Sequence, residues 1–275
     1  MAMIFRIHSS LVGTAAALLI LTTIAPCNAE TPEIVVISSA ESSQVRSIDK
    51  LLQVSYGYNY EAISMVCNII KEWRDPNGIE DYRFDPSFLE SPNVVLLIFD
   101  LDVGTVGPDQ AAAINKFVNS PRTIIGIGNG LKKVSAIDQH RPQRIDQTKS
   151  IDLGAVCFGY AGSRKGQRTT QIFFESGVSV GLSKPLRFPS SKVDLPVALS
   201  GTAKLTSTAI PIARTSTGIP VIWAYLRPSG GWSYFLDIDD KSNIEFPAIR
   251  ELLESIISSC LETSALPERE KANSD

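Results

Sequence analysis

The alternation of apolar segments near the middle of the chain constrains the fold most. Residues 94–99 (VVLLIF) and 123–127 (TIIGI) are apolar runs, and continuous runs of this kind are typical of strands buried on both faces. Between them Pro108 fits the first turn of a helix, whose packing side is predicted to consist of Ala112, Ile114, Phe117 and Val118. The sequence therefore predicts a parallel strand–helix–strand unit.

The amino-terminal part of the chain extends this pattern. Residues 33–37 (EIVVI) predict the first parallel strand, and Ser38 and Ser39 close it. A helix is predicted within residues 58–73, because apolar residues recur there at spacings of three and four, namely Ile63, Val66, Ile70 and Trp73.

The second half of the chain predicts short strands followed by one long helix. Residues 171–174 form the clearest strand, and 221–226 and 232–237 predict a hairpin across a Pro- and Gly-containing turn. Apolar residues from Phe246 to Cys260 keep near-helical spacing. We therefore expect a flavodoxin-like α/β fold, with a mostly parallel sheet flanked by helices, a β-rich elaboration and a closing C-terminal helix.

The first residues are typical of a cleaved secretory signal peptide. Residues 1–29 contain Arg6, an apolar stretch and small residues before Glu30. That stretch is shorter than the roughly 20 residues of a spanning helix. A membrane anchor and lipid attachment at Cys27 are the competing interpretations. We expect a secreted or periplasmic protein without a transmembrane span after cleavage, with one domain over residues 30–261 and a disordered polar tail over 262–275.

Charge and cysteine content narrow the classes of partner and site. Removing Arg6 lowers Lys+Arg from 26 to 25 against 29 acids, so the mature net charge is −4 and nucleic acid is not an expected partner. Cys67, Cys157 and Cys260 remain at wide spacings, which predicts no metal site and no disulfide framework. One disulfide between two of them stays open.

Three segments together resemble the glutamine amidotransferase-like superfamily, especially its ThuA-like (trehalose utilisation) branch. They are the strand–loop–helix–strand of residues 94–130 with its Phe117-Val118 pair, the glycine elbow 126–130 (GIGNG), and the closing hairpin of residues 220–237 with the helix after it. The elbow is similar to the Gly-Ile-Cys-Asn-Gly elbow of amidotransferases. The resemblance implies an α/β fold with its site at that elbow.

The residues of the amidotransferase triad are missing from the expected places. The resemblance implies a nucleophilic cysteine where this chain has Gly128, and a histidine late in the chain, whereas the only mature histidine is His140. Cys157 is interpreted as a buried small apolar residue rather than a substitute nucleophile. Glutamine hydrolysis by this triad is therefore not expected, and we lean towards a protein that is not an enzyme.

Candidate site residues lie where apolar strands end. Asp100, Asp102 and Asp237 are candidate catalytic carboxylates, since open α/β sheets bind ligands beyond the carboxyl ends of their strands. The elbow amides and a nearby lysine could hold an anion at a helix start, although the glycines also suit a simple tight turn. The candidate ligand-binding residues are Ser38, Ser39, Gly128, Asn129, Gly130 and Lys132. No metal and no cofactor are predicted, and the glycine spacing is not a dinucleotide fingerprint.

A basic segment suggests an anionic partner. Residues 132–168 hold eight basic residues against three acids. An envelope protein or an anionic polysaccharide is the expected partner, through Lys132, Lys133, Arg141, Arg144, Arg164, Lys165 and Arg168. A solvated loop pair is the plainer interpretation. The leading hypothesis is a non-catalytic binding or assembly component in envelope or polysaccharide biology. The alternatives are a carbohydrate-active ThuA-like enzyme using crevice carboxylates, or an anion or small-molecule sensor.

Overall fold

A computed structural model describes most of the chain after its first 32 residues. The described residues are 33–39, 48, 50–51, 66–74, 80–83, 85–100, 105–128, 134–138, 141–163, 167–175, 177–186, 192–200, 203–237 and 246–272. The chain divides into two compact units, Met1–Glu30 and Thr31–Asp275, and every described residue belongs to the second unit.

The described residues form fifteen strands and four helices. The strands are β1 Glu33–Ser39, β2 Val66–Arg74, β3 Glu80–Arg83, β4 Val94–Asp100, β5 Thr105–Val106, β6 Thr123–Ile127, β7 Val134–Asp138, β8 Arg141–Ile151, β9 Tyr160–Ser163, β10 Gln167–Phe174, β11 Lys192–Ser200, β12 Ala203–Leu205, β13 Ala209–Thr215, β14 Pro220–Leu226 and β15 Trp232–Leu236. The helices are α1 Ser87–Glu90, α2 Pro108–Val118, α3 Leu153–Phe158 and α4 Pro247–Ala272.

The centre of the sheet is parallel, as the apolar runs predict. Neighbouring strands in the order β15-β6-β4-β1-β2 all pair in parallel. The chain leaves β4 and returns through α2 to the adjacent β6, so the predicted strand–helix–strand unit is confirmed. The described residues of β1, β4 and β6 are buried on both faces, which explains why these sequences are continuously apolar rather than alternating.

The prediction of a mostly parallel, flavodoxin-like sheet was wrong. The thirteen strands run in the order β11-β10-β13-β14-β15-β6-β4-β1-β2-β3-β5-β7-β8. Six of the neighbouring pairs are parallel and six are antiparallel, so the sheet is mixed. Short turns join β13, β14 and β15, and a turn of that length permits only antiparallel pairing. The fold is therefore α/β with a mixed sheet.

The helix predicted within residues 58–73 was also wrong for its described part. Val66–Arg74 is a strand, β2, that pairs in parallel with β1 and antiparallel with β3. Apolar residues at spacings of three and four over so short a stretch cannot distinguish a helix from a strand. The β-branched Val66, Ile69 and Ile70 favour the strand. Residues 58–65 lie outside the described part of the chain.

The late hairpin is confirmed. Residues of β14 pair antiparallel with β15, from Ile222 opposite Leu236 to Leu226 opposite Trp232. β13 pairs with β14 on the other side, across the turn that contains Gly218.

The two faces of the sheet carry separate apolar cores. α4 covers one face through Ile249, Leu252, Leu253, Ile256 and Ile257. α2 and α3 cover the other face, with Ile114, Phe117, Leu153 and Phe158 among the buried residues. Ala112 was predicted to pack inwards and is exposed instead, because the buried stripe of α2 runs through Ala111 and Ala113.

The closing helix is confirmed and is longer than predicted. It runs from Pro247 to Ala272, beyond the predicted end near Glu262. Among the described residues, no helix combines the length and the apolar composition needed to cross a membrane.

Candidate functional site

Four parallel strands bring the predicted site positions to one edge of the sheet. Through the pairings of β15, β6, β4 and β1, one row of neighbours runs through Leu236, Ile127, Asp100 and Ser38. These positions lie at the carboxyl ends of their strands, where open α/β sheets place ligands. The backbone positions of Ser38 and Asp100 are therefore neighbours across the sheet. Asp100 also pairs with Ile127 on β6, the residue directly before Gly128. We call this row and the residues that follow it the carboxyl edge.

Gly128 at this edge has a backbone conformation that disfavours any other residue. Its φ is +117°, in a region that residues with a Cβ rarely adopt. Its N–H donates to the Leu236 carbonyl at 3.0 Å, which fixes the turn against β15. A Cβ added there would meet no atom within 4 Å, so conformation rather than space selects glycine.

The next described element after Gly128 is the strand β7, not the helix assumed for the anion cradle. Asn129, Gly130, Lys132 and Lys133 lie outside the described residues. The cradle interpretation therefore has no described helix start to support it.

The candidate carboxylates do not share one face of the sheet. Asp237 follows β15, is 4% exposed, and its N–H donates to the Val221 carbonyl at 2.9 Å. Its position is one residue beyond the row that contains Asp100. Because successive strand residues alternate between faces, positions 100 and 237 belong to opposite faces. Asp102 lies outside the described residues.

Cys157 is a buried small residue, as its sequence context predicts. Its side chain is fully buried in α3, and Sγ lies 3.4 Å from Ser233 Oγ. Burial raises the pKa of the Cys157 thiol to about 11, while the Ser233 contact and Arg227 act in the opposite direction. A thiol that stays protonated is a poor nucleophile. His140, the candidate base, lies outside the described residues.

The second described thiol is also a poor nucleophile at neutral pH. Burial raises the pKa of Cys260 in α4 to about 11, and a hydrogen bond with Thr123 partly opposes this shift. Cys157 and Cys260 are both thiols, so they do not form the disulfide left open by the sequence. The Cys67 side chain is outside the described part of the structure.

Trp223 packs within the protein and is not a sugar platform. It is 1% exposed, its Nε1 donates to the Phe158 carbonyl at 2.8 Å, and its ring centroid lies 4.7 Å from that of Phe235. Trp232 is half-buried and stacks on Tyr234 at a centroid distance of 6.5 Å. Of the aromatic residues in this hairpin, Tyr225 and Trp232 are both half-buried.

The basic segment is distributed over separate strands. Arg141 and Arg144 lie in β8, at one end of the strand order, whereas Arg168 lies in β10, next to the strand at the other end. Arg164 and Lys165 lie outside the described residues.

Within the described part of the chain, no three His, Cys, Asp or Glu side chains are grouped closely enough to hold a metal ion.

Sequence reasoning missed two arginines on the opposite side of the sheet from the carboxyl edge. Arg227, in the turn between β14 and β15, is 2% exposed and donates to the carbonyls of Val118 and Arg122. Arg122, directly before β6, is half-buried and donates to the carbonyls of Ser91 and Val94. An arginine directly beside an apolar strand, with no acidic neighbour, is the sequence signal for such a buried cation.

Comparisons with known proteins give only distant likenesses. No protein-family model and no curated protein matches this chain. Among solved structures, a protein described as ThuA-like from Bacteroides uniformis has a TM-score of 0.48 and 10% identity, with 82% of this chain and 91% of that chain covered. The mmIFT52 N-terminal domain has a TM-score of 0.46 and 8% identity, over 82% of this chain and 96% of that one.

A third similar structure belongs to a larger enzyme. A β-galactosidase from Rahnella sp. R3 has a TM-score of 0.43 and 13% identity, with 82% of this chain covered. The match spans 31% of that enzyme. All three TM-scores lie below 0.5, so the α/β assignment rests on the strand order of this chain itself.

Proposed function

We propose that this chain is a secreted or periplasmic, non-catalytic binding protein on an amidotransferase-like α/β scaffold of the ThuA-like kind. It acts as a recognition or assembly component in envelope or polysaccharide biology. The observation that carries this proposal is Gly128 at the elbow, with φ of +117°. Glycine has no side chain to act as a nucleophile at position 128, and the backbone conformation there disfavours any other residue.

The described thiols support a binding role. Cys157 and Cys260 have pKa values raised to about 11 by burial. Less than about one thiol in a thousand would be ionised at neutral pH with such a pKa, by the usual titration relation. Neither thiol therefore replaces the elbow nucleophile.

The partner that fits the charge pattern is an anionic polysaccharide. Arg141, Arg144 and Lys149 lie on β8, the last strand in the sheet order, within a protein of net negative charge. Asp146 lies on the same strand, and Asp138 of β7 is the register partner of Arg141, so the three cations exceed the acids of this strand pair by one. Such an excess attracts polyanions through Coulomb interactions that weaken with salt. An edge strand also offers its backbone amides to a ligand.

The test is retention of the secreted chain by polygalacturonate, with neutral dextran as the comparison polymer. Replacing Arg141, Arg144 and Lys149 by Gln is expected to weaken retention by about tenfold at low ionic strength. The matched control replaces the exposed Lys184, Lys192 and Lys204 by Gln, which removes the same charge elsewhere. Equal losses of retention in both triple variants would show that retention depends on the net charge of the protein and not on β8. Equal retention by dextran would contradict the proposal.

A carbohydrate-active enzyme is the second candidate, favoured by the position of Asp100. Its neighbours in the row are Ser38 on β1 and Ile127 on β6, at the edge where a substrate would enter. Turnover of a glycan that is lost in Asp100→Asn, with unchanged stability, would establish this candidate in place of the binding role. Asp237 is not its partner on the same face.

A further inference from the structure

A cavity lies at the amino ends of the parallel strands, opposite the carboxyl edge. Its volume is about 330 Å³, within the lower range of small-molecule sites. β4, β6 and β15 each begin at its wall, and α4 closes one side. Its polar lining includes Arg122, Thr123, Ser259 and Cys260.

Arg122 supplies a positive charge to this cavity, and no carboxylate of the described residues pairs with it. Its Nη1 donates to the carbonyls of Ser91 at 3.2 Å, Leu89 at 3.4 Å and Val94 at 3.4 Å, and Nε donates to Ser120 Oγ at 3.0 Å. All of these acceptors are neutral. The guanidinium also lies over the Phe117 ring, 4.0 Å from its centroid. Among the described residues these neutral groups orient the guanidinium without neutralising it, and burial lowers its pKa.

A buried cation lies beside it. Arg227 is 2% exposed and donates to the Arg122 carbonyl, and its Nε has no hydrogen-bond partner among the described residues. Burial lowers the pKa of Arg227, Cys157 acts in the opposite direction, and the charge of Arg122 lowers it further. Within the described part of the chain, no carboxylate pairs with either guanidinium. A buried cation next to a half-buried one is costly, and an anion beside them would reduce that cost.

The remaining walls are apolar and aromatic. Trp232 and Tyr234 form one side, and Pro92, Val95 and Pro121 contribute apolar surface. Tyr234 Oη already donates to the Val180 carbonyl at 2.6 Å, so its ring rather than its hydroxyl is available. Gly181, at φ of +63°, packs so tightly on the Trp232 ring that a side chain there would collide with it. The ring is thereby held against the cavity.

We propose that this cavity binds a small organic carboxylate with an apolar body. The carboxylate lies on the guanidinium of Arg122, and the apolar body packs against Trp232 and Tyr234. An Arg–carboxylate pair is a charge-assisted contact whose planar geometry suits Arg122, since its Nη2 makes no hydrogen bond to the described residues. This site is separate from the elbow and from the basic residues of β8.

The test titrates the secreted chain with benzoate and with benzamide, its uncharged isostere, and follows tryptophan fluorescence. Benzoate is expected to saturate in the millimolar range or below and to bind about tenfold or more tightly than benzamide, because only benzoate pairs with the guanidinium. Equal affinities for the two probes, or no saturation by benzoate at millimolar concentrations, would overturn the proposal.

Two variants locate the binding. Arg122→Gln is expected to remove the preference for benzoate, and Cys260→Phe is expected to abolish binding of both probes by filling the cavity. Arg214→Gln is the matched control, because Arg214 is a surface guanidinium that pairs with Glu175 away from the cavity. Unchanged benzoate affinity in folded Cys260→Phe would also overturn the proposal, since it would place the ligand elsewhere.

Discussion

Gly128 follows β6 at the carboxyl edge and has no side chain. Its positive φ and its hydrogen bond to Leu236 turn the chain sharply at the end of β6. The sequence alone indicated that a side chain is missing there. The structure adds that the backbone itself disfavours a residue with a Cβ.

Gly128→Ala is predicted to destabilise the protein by about 1–3 kcal/mol, because the methyl group has space but the backbone is strained. Urea unfolding measures the free energy of unfolding. Gly177→Ala is the matched control, since that position also has open space, at φ of +76° in a loop. A stabilised Gly128→Ala protein would show that the backbone at 128 adapts easily to alanine.

The buried Cys157 thiol predicts a pH dependence of stability. Its pKa is raised from 9.0 to about 11 in the folded protein, so the unfolded chain loses this proton first as the pH rises. Stability that is fully present below pH 9 is then lost as the pH approaches 11, by about 2–3 kcal/mol from this group.

The measurement for Cys157 is urea unfolding between these two pH values, for the natural chain and for Cys157→Ala. Other groups titrate in the same range, so the difference between the two proteins isolates this thiol. The variant is expected to lose less stability than the natural chain over this interval. Parallel stability curves for the two proteins would contradict the buried, protonated thiol.

At the scale of elements, Arg227 connects the late hairpin to the strand–helix–strand unit. It lies in the turn between β14 and β15 and donates to the Val118 carbonyl at the end of α2 and to the Arg122 carbonyl before β6. Gly231 leaves room for this contact, since a Cβ there would meet the guanidinium and the backbone at Pro121.

Arg227→Gln is predicted to lower the free energy of unfolding by about 2 kcal/mol, because one amide group cannot satisfy both carbonyls. Arg214→Gln is the control, for it breaks a surface ion pair with Glu175 and is expected to cost less than about 1 kcal/mol. Urea unfolding compares the two variants. Equal small losses would show that Arg227 does not fasten these elements together.

The elements that sequence patterns predicted correctly share a physical cause. β1, β4 and β6 are covered on both faces, so their sequences are continuously apolar, and their short length and β-branched residues indicate strands rather than helices. The segment that overlaps β2 was predicted as a helix because four apolar residues recur there at spacings of three and four, and so short a pattern does not exclude a strand. The apolar strands also allowed Ser38 and Asp100 to be placed at strand ends from the sequence. The faces of the sheet to which positions 100 and 237 belong could be assigned only from the strand register in the structure.

At the scale of the whole molecule, the fold class could be predicted and the sheet topology could not. Pairing direction depends on connections such as those among β2, β3, β5 and β7, whose short strands carry weak periodic signals. The cavity at the amino ends and the arginine pair beside it depend on tertiary packing, and no local motif encodes them. The resulting molecule has a carboxyl edge with a glycine elbow and, at the other end of the same strands, a cationic cavity.

The most direct test of the central claim, binding without turnover, is size-exclusion chromatography with light scattering on the protein mixed with polygalacturonate. The account predicts a complex that dissociates as salt is added and a polymer that is recovered at its original length. A shortened polymer would contradict the claim by establishing an enzyme. Separate elution of protein and polymer at low salt would contradict the proposed anionic polysaccharide partner.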